Sequence, residues 1–245
     1  MSRAHRTSTG TPQRRRLVSQ EMYETVFGTV YVGLATNALL AVACLPVLVL
    51  LMTTDPTASW PALALVAPLT APALVGAFAV FTALSADGST TAVRTFWRAY
   101  RRHLRRSLAI GALASAVVVV LAVDVAAVWG ARVGAAAIPV FVTLLVLTVL
   151  TALMALAAVP VLPDARLRDL LRTSLYLAVR RWYASVGAVV VLGLLAAVTT
   201  AKPALAVGFL TAPLLFVVWG GYRAALRSVV PDDAAPPAHA AAAAS

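Results

Sequence analysis

Acidic residues and cysteine are scarce in this chain of 245 residues. It has nine aspartates and glutamates against twenty lysines and arginines, and its one cysteine is Cys44. A single cysteine can form neither an internal disulfide nor a cysteine-based metal cluster, so we expect Cys44 to be a small packing residue. His5, His103 and His239 stand apart from any cysteine or group of carboxylates, which argues against a metal site. We therefore expect no metal and no other cofactor.

Charged residues of either sign are also rare. They make up 12% of the chain, whereas hydrophobic residues make up 61% and the mean hydropathy is +0.89. This balance is typical of a membrane protein and excludes an ordinary soluble domain. The apolar runs lack the period-two alternation of a transmembrane barrel, and backbone groups cannot stay unpaired in lipid. The sequence therefore predicts an all-α, polytopic membrane protein.

Long apolar runs mark the expected membrane spans. There are six, at 29–52, 60–83, 108–130, 135–162, 184–200 and 203–221. A helix of about 20 residues crosses the ~30 Å hydrocarbon core, so each run can span the membrane, the last two near the short limit. We expect a six-helix membrane domain over 17–230, between a disordered basic segment at 1–16 and a disordered Pro/Ala tail at 231–245.

Basic residues are distributed unevenly around these spans. Eighteen of the twenty lie before the first span, in the connections after the second and fourth spans, or after the sixth; only Arg132 and Lys202 lie on the other side. The positive-inside rule then places both termini in the cytoplasm of a multi-pass plasma-membrane protein. Orientation and anionic lipid headgroups account for the net charge of +11, so we expect no nucleic-acid partner.

The first long connection predicts a basic amphipathic arm that runs on into the third span. Apolar and aromatic side chains recur on one helical face, and arginines fill the remainder. Two interpretations stay open: the arm lies on anionic lipid headgroups, or it docks a cytoplasmic or membrane partner. The candidate contact residues are Phe96, Trp97, Tyr100, Arg98, Arg101, Arg102 and Arg105.

The second long connection predicts a similar cytoplasmic arm. Pro163 and Asp164 are expected to open its helix, which also runs on into the next span. Its apolar face is predicted to contain Leu167, Leu170, Leu171, Leu175 and Ala178.

Two polar residues inside the spans are candidates for an intramembrane site, since such residues are costly there. Asp124 is the one acid well inside a span. It lies ~24 Å along the third helix from Leu108, near the outer boundary, where Arg132 or Lys202 can pair with it. Asn37 lies near the middle of the first span, and we expect it to form a hydrogen bond between helices. Prolines within the spans, Pro46 among them, are expected to kink their helices.

Sequence motifs of catalysis are absent. No phosphate-binding or dinucleotide-binding glycine pattern is present, and no serine, histidine and aspartate fall on a plausible shared surface. We therefore expect that the chain is not an enzyme.

The order of short motifs resembles the YesL-like family of bacterial membrane proteins, a domain of unknown function. The motifs are Asn37-Ala38-Leu39-Leu40 with Pro46, then Pro72-Ala73, then the arm from Phe96 to Ser107, with a weaker match from Leu170 to Arg181. Ala41 departs from the tryptophan that often stands at its place in the family. The resemblance implies an accessory or scaffold role in carbohydrate uptake, with ABC transporter subunits as candidate partners. An independent small-solute secondary transporter is the alternative. A permease subunit is disfavoured, because the chain lacks the EAA-type loop that couples permeases to an ATPase.

Overall fold

The structure of the protein is a computed structural model, and it describes residues 12–55, 58–88, 90–132, 134–162, 165–202 and 205–227. Every regular element within these ranges is helical. The tail at 231–245 and residues 1–11 lie outside them. Helix α1, Pro12–Ala43, extends into the segment 1–16 that composition predicts to be disordered. Proline suits the first position of a helix, where its missing N–H would have no partner.

The first apolar run is divided between two helices. α1 ends at Ala43, α2 covers Leu45–Thr53, and the two meet at a bend of 67°. Pro46 lies in the first turn of α2. It has no N–H to donate to the carbonyl of Val42, and in a straight helix its ring would collide with that carbonyl. The kink predicted at Pro46 is therefore confirmed.

The second apolar run is one passage, from Trp60 to Ala86, with an irregular start. α3 covers Trp60–Val66, a 3₁₀ turn covers Ala67–Leu69, and α4 covers Thr70–Asp87. Pro68 lies inside the 3₁₀ turn, where a residue without an N–H is tolerated. Gly88 ends α4 with a φ of +62°, the left-handed conformation that favours glycine at a helix end.

The first arm and the third apolar run form a single helix, α5, Ala92–Val128. Its 37 residues make it ~55 Å long, well beyond the ~30 Å hydrocarbon core, so the arginine-rich half has to extend past the core. The predicted continuity of this arm with the third apolar run is confirmed. α5 packs along α4 and along α6, Gly134–Ala158, and the turn between α5 and α6 contains Gly130 with a φ of +83°.

The second arm does not run on into its span, so that prediction is wrong. α7 covers Leu167–Arg180, α8 covers Trp182–Ala201, and they meet at 95°. The reason lies in their composition: α7 is charged on one face and suits an interface, whereas α8 is apolar throughout and suits the lipid core. Ser185 Oγ donates to the carbonyl oxygen of Ala178 across this corner, at 2.7 Å. The predicted opening at 163–164 lies outside the described residues.

The last apolar run begins with a π-helical turn, Ala206–Leu210, followed by α9, Thr211–Arg227. α4 lies at the centre of the bundle, in contact with α1, α5, α6 and α9. Its buried residues include several with small side chains, which let neighbouring helices approach closely. The buried hydrophobic residues of α4 are Ala71, Ala73, Val75, Ala77, Phe78, Val80 and Phe81.

Within the described residues, four helical segments are long and apolar enough to cross a membrane. The number rises to six if the bent pairs α1/α2 and α7/α8 each form one span. The chain is therefore an all-helical protein of the multi-pass membrane type. Many large apolar side chains are exposed on the outside of the bundle, as expected where lipid is the solvent.

Candidate functional site

The N-terminal half of α5 carries an exposed surface of arginines, which we call the basic face. At about 100° per residue, these side chains lie on the side of the helix opposite Phe96. Its members are Arg94, Arg98, Arg101, Arg102 and Arg105, all exposed. The arginines predicted as contact residues are thus displayed together on one rigid helix and remain accessible to a ligand.

The aromatic side of the same arm faces the protein interior. Phe96 is 0% exposed, and Trp97 and Tyr100 are half-buried against the same core. The three rings form one cluster, with centroids 5.7 Å apart for Phe96–Trp97, 6.2 Å for Phe96–Tyr100 and 5.3 Å for Trp97–Tyr100. Such spacings are favourable for aromatic pairs. The cluster stabilises the attachment of α5 to the bundle.

This burial corrects the prediction for Phe96. Both interpretations of the arm directed its apolar face outward, to headgroups or to a partner. The ring of Phe96 instead lies on Gly76 of α4, where a Cβ would stand 2.8 Å from the ring. Phe96 is therefore a packing residue, because the missing side chain of Gly76 opens the space that its ring fills.

Arg106 differs from the other arginines of the arm. It is half-buried, and its guanidinium donates to the carbonyl oxygens of Leu162, at 3.3 Å, and Ala165. Both carbonyls belong to the connection between α6 and α7. Arg106 thus ties the first arm to the start of the second and defines a basic end of the bundle, where α7 lies beside α5 and α6.

Helix α7 is amphipathic, but its buried face is rotated from the prediction. Leu170, Ser174, Leu177 and Ala178 are buried, whereas Leu175 is 43% exposed. Leu170 and Ala178 of the predicted face are confirmed as buried.

The corner between α7 and α8 carries two arginine–tyrosine pairs. Arg180 donates to the hydroxyl of Tyr176 at 2.7 Å, and Arg181 donates to that of Tyr183 at 2.6 Å. Each guanidinium also stands over its tyrosine ring, 5.7 and 5.9 Å from the centroid. Aromatic and basic side chains of this kind are typical of a membrane–water interface.

Asn37 joins α1 to the irregular start of the last span. Its Nδ2 donates to the carbonyl oxygen of Gly208 at 3.1 Å, and its Oδ1 accepts from the backbone N–H of Ala212 at 2.6 Å. Gly208 and Ala212 are four residues apart, the separation of an ordinary α-helical bond. The Asn37 amide supplies each with a partner where the π turn widens the helix. The predicted hydrogen bond between helices is confirmed.

A mostly apolar groove of about 500 Å³ opens beside Asn37, between α1, α4 and α9. Its walls include Phe81, Phe209 and Phe216. Asn37 itself is 2% exposed, and both ends of its amide are bonded to backbone. The groove therefore offers apolar contacts and little free hydrogen-bonding capacity.

Asp124 lies in the half of α5 away from the basic end and is half-buried. Within the described ranges no ion pair joins it to Arg132 or to Lys202, which are both exposed. Those ranges also contain no group of three or more histidines, cysteines and acids close enough to hold a metal ion.

One segment of the chain matches a known protein family, and it contains most of the features described above. Residues 34–125 match the family model described as a protein of unknown function, DUF624, which is the family of YesL-like proteins. The match runs from Leu34, in the last third of α1, to Val125, near the end of α5. It includes Asn37, Gly76, the basic face and Arg106. The resemblance based on sequence motifs is confirmed over residues 34–125, whereas the weaker match from Leu170 to Arg181 lies outside the matched segment. No curated protein and no solved structure matches the chain.

Three features of this region were not predicted from the sequence. They are the hydrogen bonds of Arg106 to backbone carbonyls, the space that Gly76 leaves for the ring of Phe96, and the π turn. Only Gly76 carries a usable signal, because a lone glycine inside an apolar helix often marks close approach of another element. The partners of Arg106 are backbone carbonyls, which have no sequence signature.

Proposed function

We propose that this YesL-like chain is an accessory or scaffold component of the bacterial plasma membrane, associated with ABC-type carbohydrate uptake. The observation that carries the proposal is the basic face: five exposed arginines on a helix that the buried aromatic cluster and Arg106 attach to the bundle. A rigid charged surface can bind a partner without a large ordering cost. The carbohydrate-uptake context comes from the family resemblance.

We further propose a six-span topology with both termini in the cytoplasm. The bent pairs α1/α2 and α7/α8 then contribute one span each, with α7 at the interface and α8 in the lipid core. The distribution of basic residues supports this orientation, and so does the length of α5, whose arginine-rich half extends past the hydrocarbon core. The basic face then projects toward the cytoplasm, where transporter ATPases and the inner loops of permeases are found.

The hydrogen bonds that buried polar side chains form with the backbone favour a scaffold over a transporter. Thr36 donates to the carbonyl oxygen of Val32, and Ser107 donates to those of His103 and Leu104. These bonds lie within a single helix and hold the backbone. Among the buried residues that the structure describes, none is an aspartate, a glutamate or a histidine, which are the usual residues of a proton relay. The buried ionisable residue among them is Tyr222, near the arginines at the end of α9.

Co-purification from native membranes tests the accessory role. The full chain should retain permease or binding subunits of a carbohydrate ABC transporter. Charge reversal by Arg98→Glu with Arg102→Glu should release them, and raised salt should weaken the wild-type complex, since exposed charges are screened beyond about 8 Å at physiological ionic strength.

Arg132→Glu is the control, because Arg132 is also exposed but lies in the turn beyond the opposite end of α5. It should leave the complex intact. Retention of the same subunits by the Arg98/Arg102 variant, or their absence from the wild-type preparation, would reject the accessory proposal.

An independent small-solute transporter is the second candidate, because Asn37 joins two passages that each contain a helix irregularity. The bend after Ala43 and the π turn Ala206–Leu210 belong to α1/α2 and to the last span, and Asn37 links these two passages. Interrupted helices are common at transport sites. Uptake of labelled sugars by proteoliposomes of the purified chain, lost in an Asn37→Leu variant that still folds, would support this candidate over the first.

A further inference from the structure

A second groove, of about 510 Å³, lies at the basic end between α5, α6 and α7. Each helix contributes a stripe of residues spaced i, i+3, i+4 and i+7, so each presents one face to it. The stripes run from Ile110 to Val117 on α5, from Leu144 to Thr151 on α6 and from Arg168 to Leu175 on α7.

The groove is polar at one end and apolar along the remainder. At the polar end, Arg168 and Arg172 come from α7, and Thr148 and Thr151 come from the half of α6 that leads toward α7. Leu144 lies ~10 Å from Thr151 along α6, in the direction away from the two arginines. The walls at that depth are aliphatic, with Val117 opposite on α5. The groove thus passes from a cationic mouth into the apolar part of two membrane-type helices.

The groove is open to the side. Leu113 is 51% exposed, and Leu144 and Leu175 are each 43% exposed. Its volume falls in the range of about 300–1,000 Å³ that is usual for ligand sites. An occupant that fills an open apolar groove at membrane depth has to be compatible with the hydrocarbon core.

The mouth has the charge of an anion site. Arg168 and Arg172 are one turn apart on α7 and both are exposed. Guanidinium groups bind phosphate with paired, directed hydrogen bonds. Asp169 is their acidic neighbour on the helix, and within the described residues it forms no ion pair with either arginine. Arg106 fixes the connection that leads into α7 and so helps to position the pair.

We propose that this groove is a specific binding site for one anionic glycerophospholipid. Its phosphate is held by Arg168 and Arg172, and an acyl chain occupies the groove between α5 and α6. Basic pockets between membrane helices are known to bind anionic headgroups. The charge at the mouth, together with the aliphatic depth, favours a lipid over a soluble anion or a protein segment. The proposal does not depend on the accessory role or on the basic face of α5.

Native mass spectrometry of the purified full chain tests the site, with phosphatidylglycerol and phosphatidylcholine of the same acyl chains as probes. The wild type should prefer phosphatidylglycerol by ~10-fold or more, as expected when charge-assisted hydrogen bonds hold the headgroup. Arg168→Gln with Arg172→Gln should bring the two lipids to near parity. The control is Arg132→Gln with Lys202→Gln, which also removes two exposed positive charges but outside the groove, and it should keep the preference.

The apolar part is tested by filling it. Ala114→Phe should weaken the binding of both lipids, whereas Ala112→Phe, at an exposed position on the same helix outside the groove, should have no effect. Thermal unfolding without added lipid checks that each variant folds.

Three results would overturn the proposal. Equal loss of the preference in the Arg168/Arg172 variant and in the Arg132/Lys202 control would mean diffuse electrostatic attraction. Full competition by inorganic phosphate alone would mean a soluble-anion site. Unchanged lipid binding by Ala114→Phe would mean that no acyl chain enters the groove.

Discussion

The ring of Phe96 lies so close to Gly76 that a Cβ at position 76 would stand 2.8 Å from its Cδ2 atom and 2.9 Å from its Cε2 atom. This contact joins the arginine-rich half of α5 to the centre of the bundle. Because the contact buries the aromatic side of the helix against α4, the basic face on the opposite side remains exposed.

Gly76→Ala should destabilise the protein by ~1–3 kcal/mol, because the methyl group forces a fully buried ring out of its place. Thermal unfolding in detergent measures the loss. Gly187→Ala is the control, since a Cβ there meets nothing within 4 Å; alanine favours the helix over glycine, so this variant should be neutral or more stable. Adding Phe96→Leu to Gly76→Ala should recover part of the loss, and equal stability of both glycine variants would contradict the packing account.

Asn37→Leu should also destabilise the protein, by ~1–3 kcal/mol, because it removes the partners of the Gly208 carbonyl and of the buried Ala212 N–H at the π turn without greatly changing volume. Thr36→Val is the matched control at the neighbouring, equally buried position. Its hydroxyl bonds only to its own helix, so its loss should cost under ~1 kcal/mol. Hydrogen exchange around residues 208–212 should rise in the Asn37 variant and stay unchanged in the control.

Arg106→Gln should loosen the connection between α6 and α7. The shorter side chain cannot reach both carbonyls that the guanidinium now holds, and unpaired carbonyls at this junction favour local opening. Limited proteolysis or hydrogen exchange over residues 159–170 measures the effect. Arg105→Gln, at an exposed neighbour on the same helix, should leave this connection protected. Equal protection in the two variants would show that Arg106 does not position α7.

Cysteine labelling tests the proposed topology in a Cys44→Ala background. Cysteines at Ala58 and Arg132 should react with a membrane-impermeant maleimide in intact cells, whereas one at Arg101 should react only after permeabilisation. All three positions are exposed, so accessibility depends on the side of the membrane. Position 134 is unsuitable for this test, because a Cβ at Gly134 would meet the carbonyl oxygen of Val128 at 2.3 Å. Labelling of Arg101→Cys in intact cells would reject the both-ends-in topology.

The sequence alone was sufficient for the features that depend on properties summed along the chain. Hydropathy and the missing period-two pattern predict the helical membrane class, and a continuous pattern without proline predicts that the first arm and the third run form one helix, α5. The motifs from Asn37 to Ser107 predict the resemblance to the YesL-like family, whose model matches residues 34–125. These inferences succeed because each residue contributes to them independently of its distant neighbours.

Tertiary structure decided which element covers each face and which distant group each polar side chain meets. An amphipathic pattern shows that the arm has an apolar face, but only the position of Gly76 shows that α4 covers Phe96. Likewise, no local pattern marks the partners of Asn37, which lie more than 170 residues away in the chain, or distinguishes Arg106 from its exposed neighbours. Such contacts depend on how helices approach one another, and the same local sequence is compatible with several approaches.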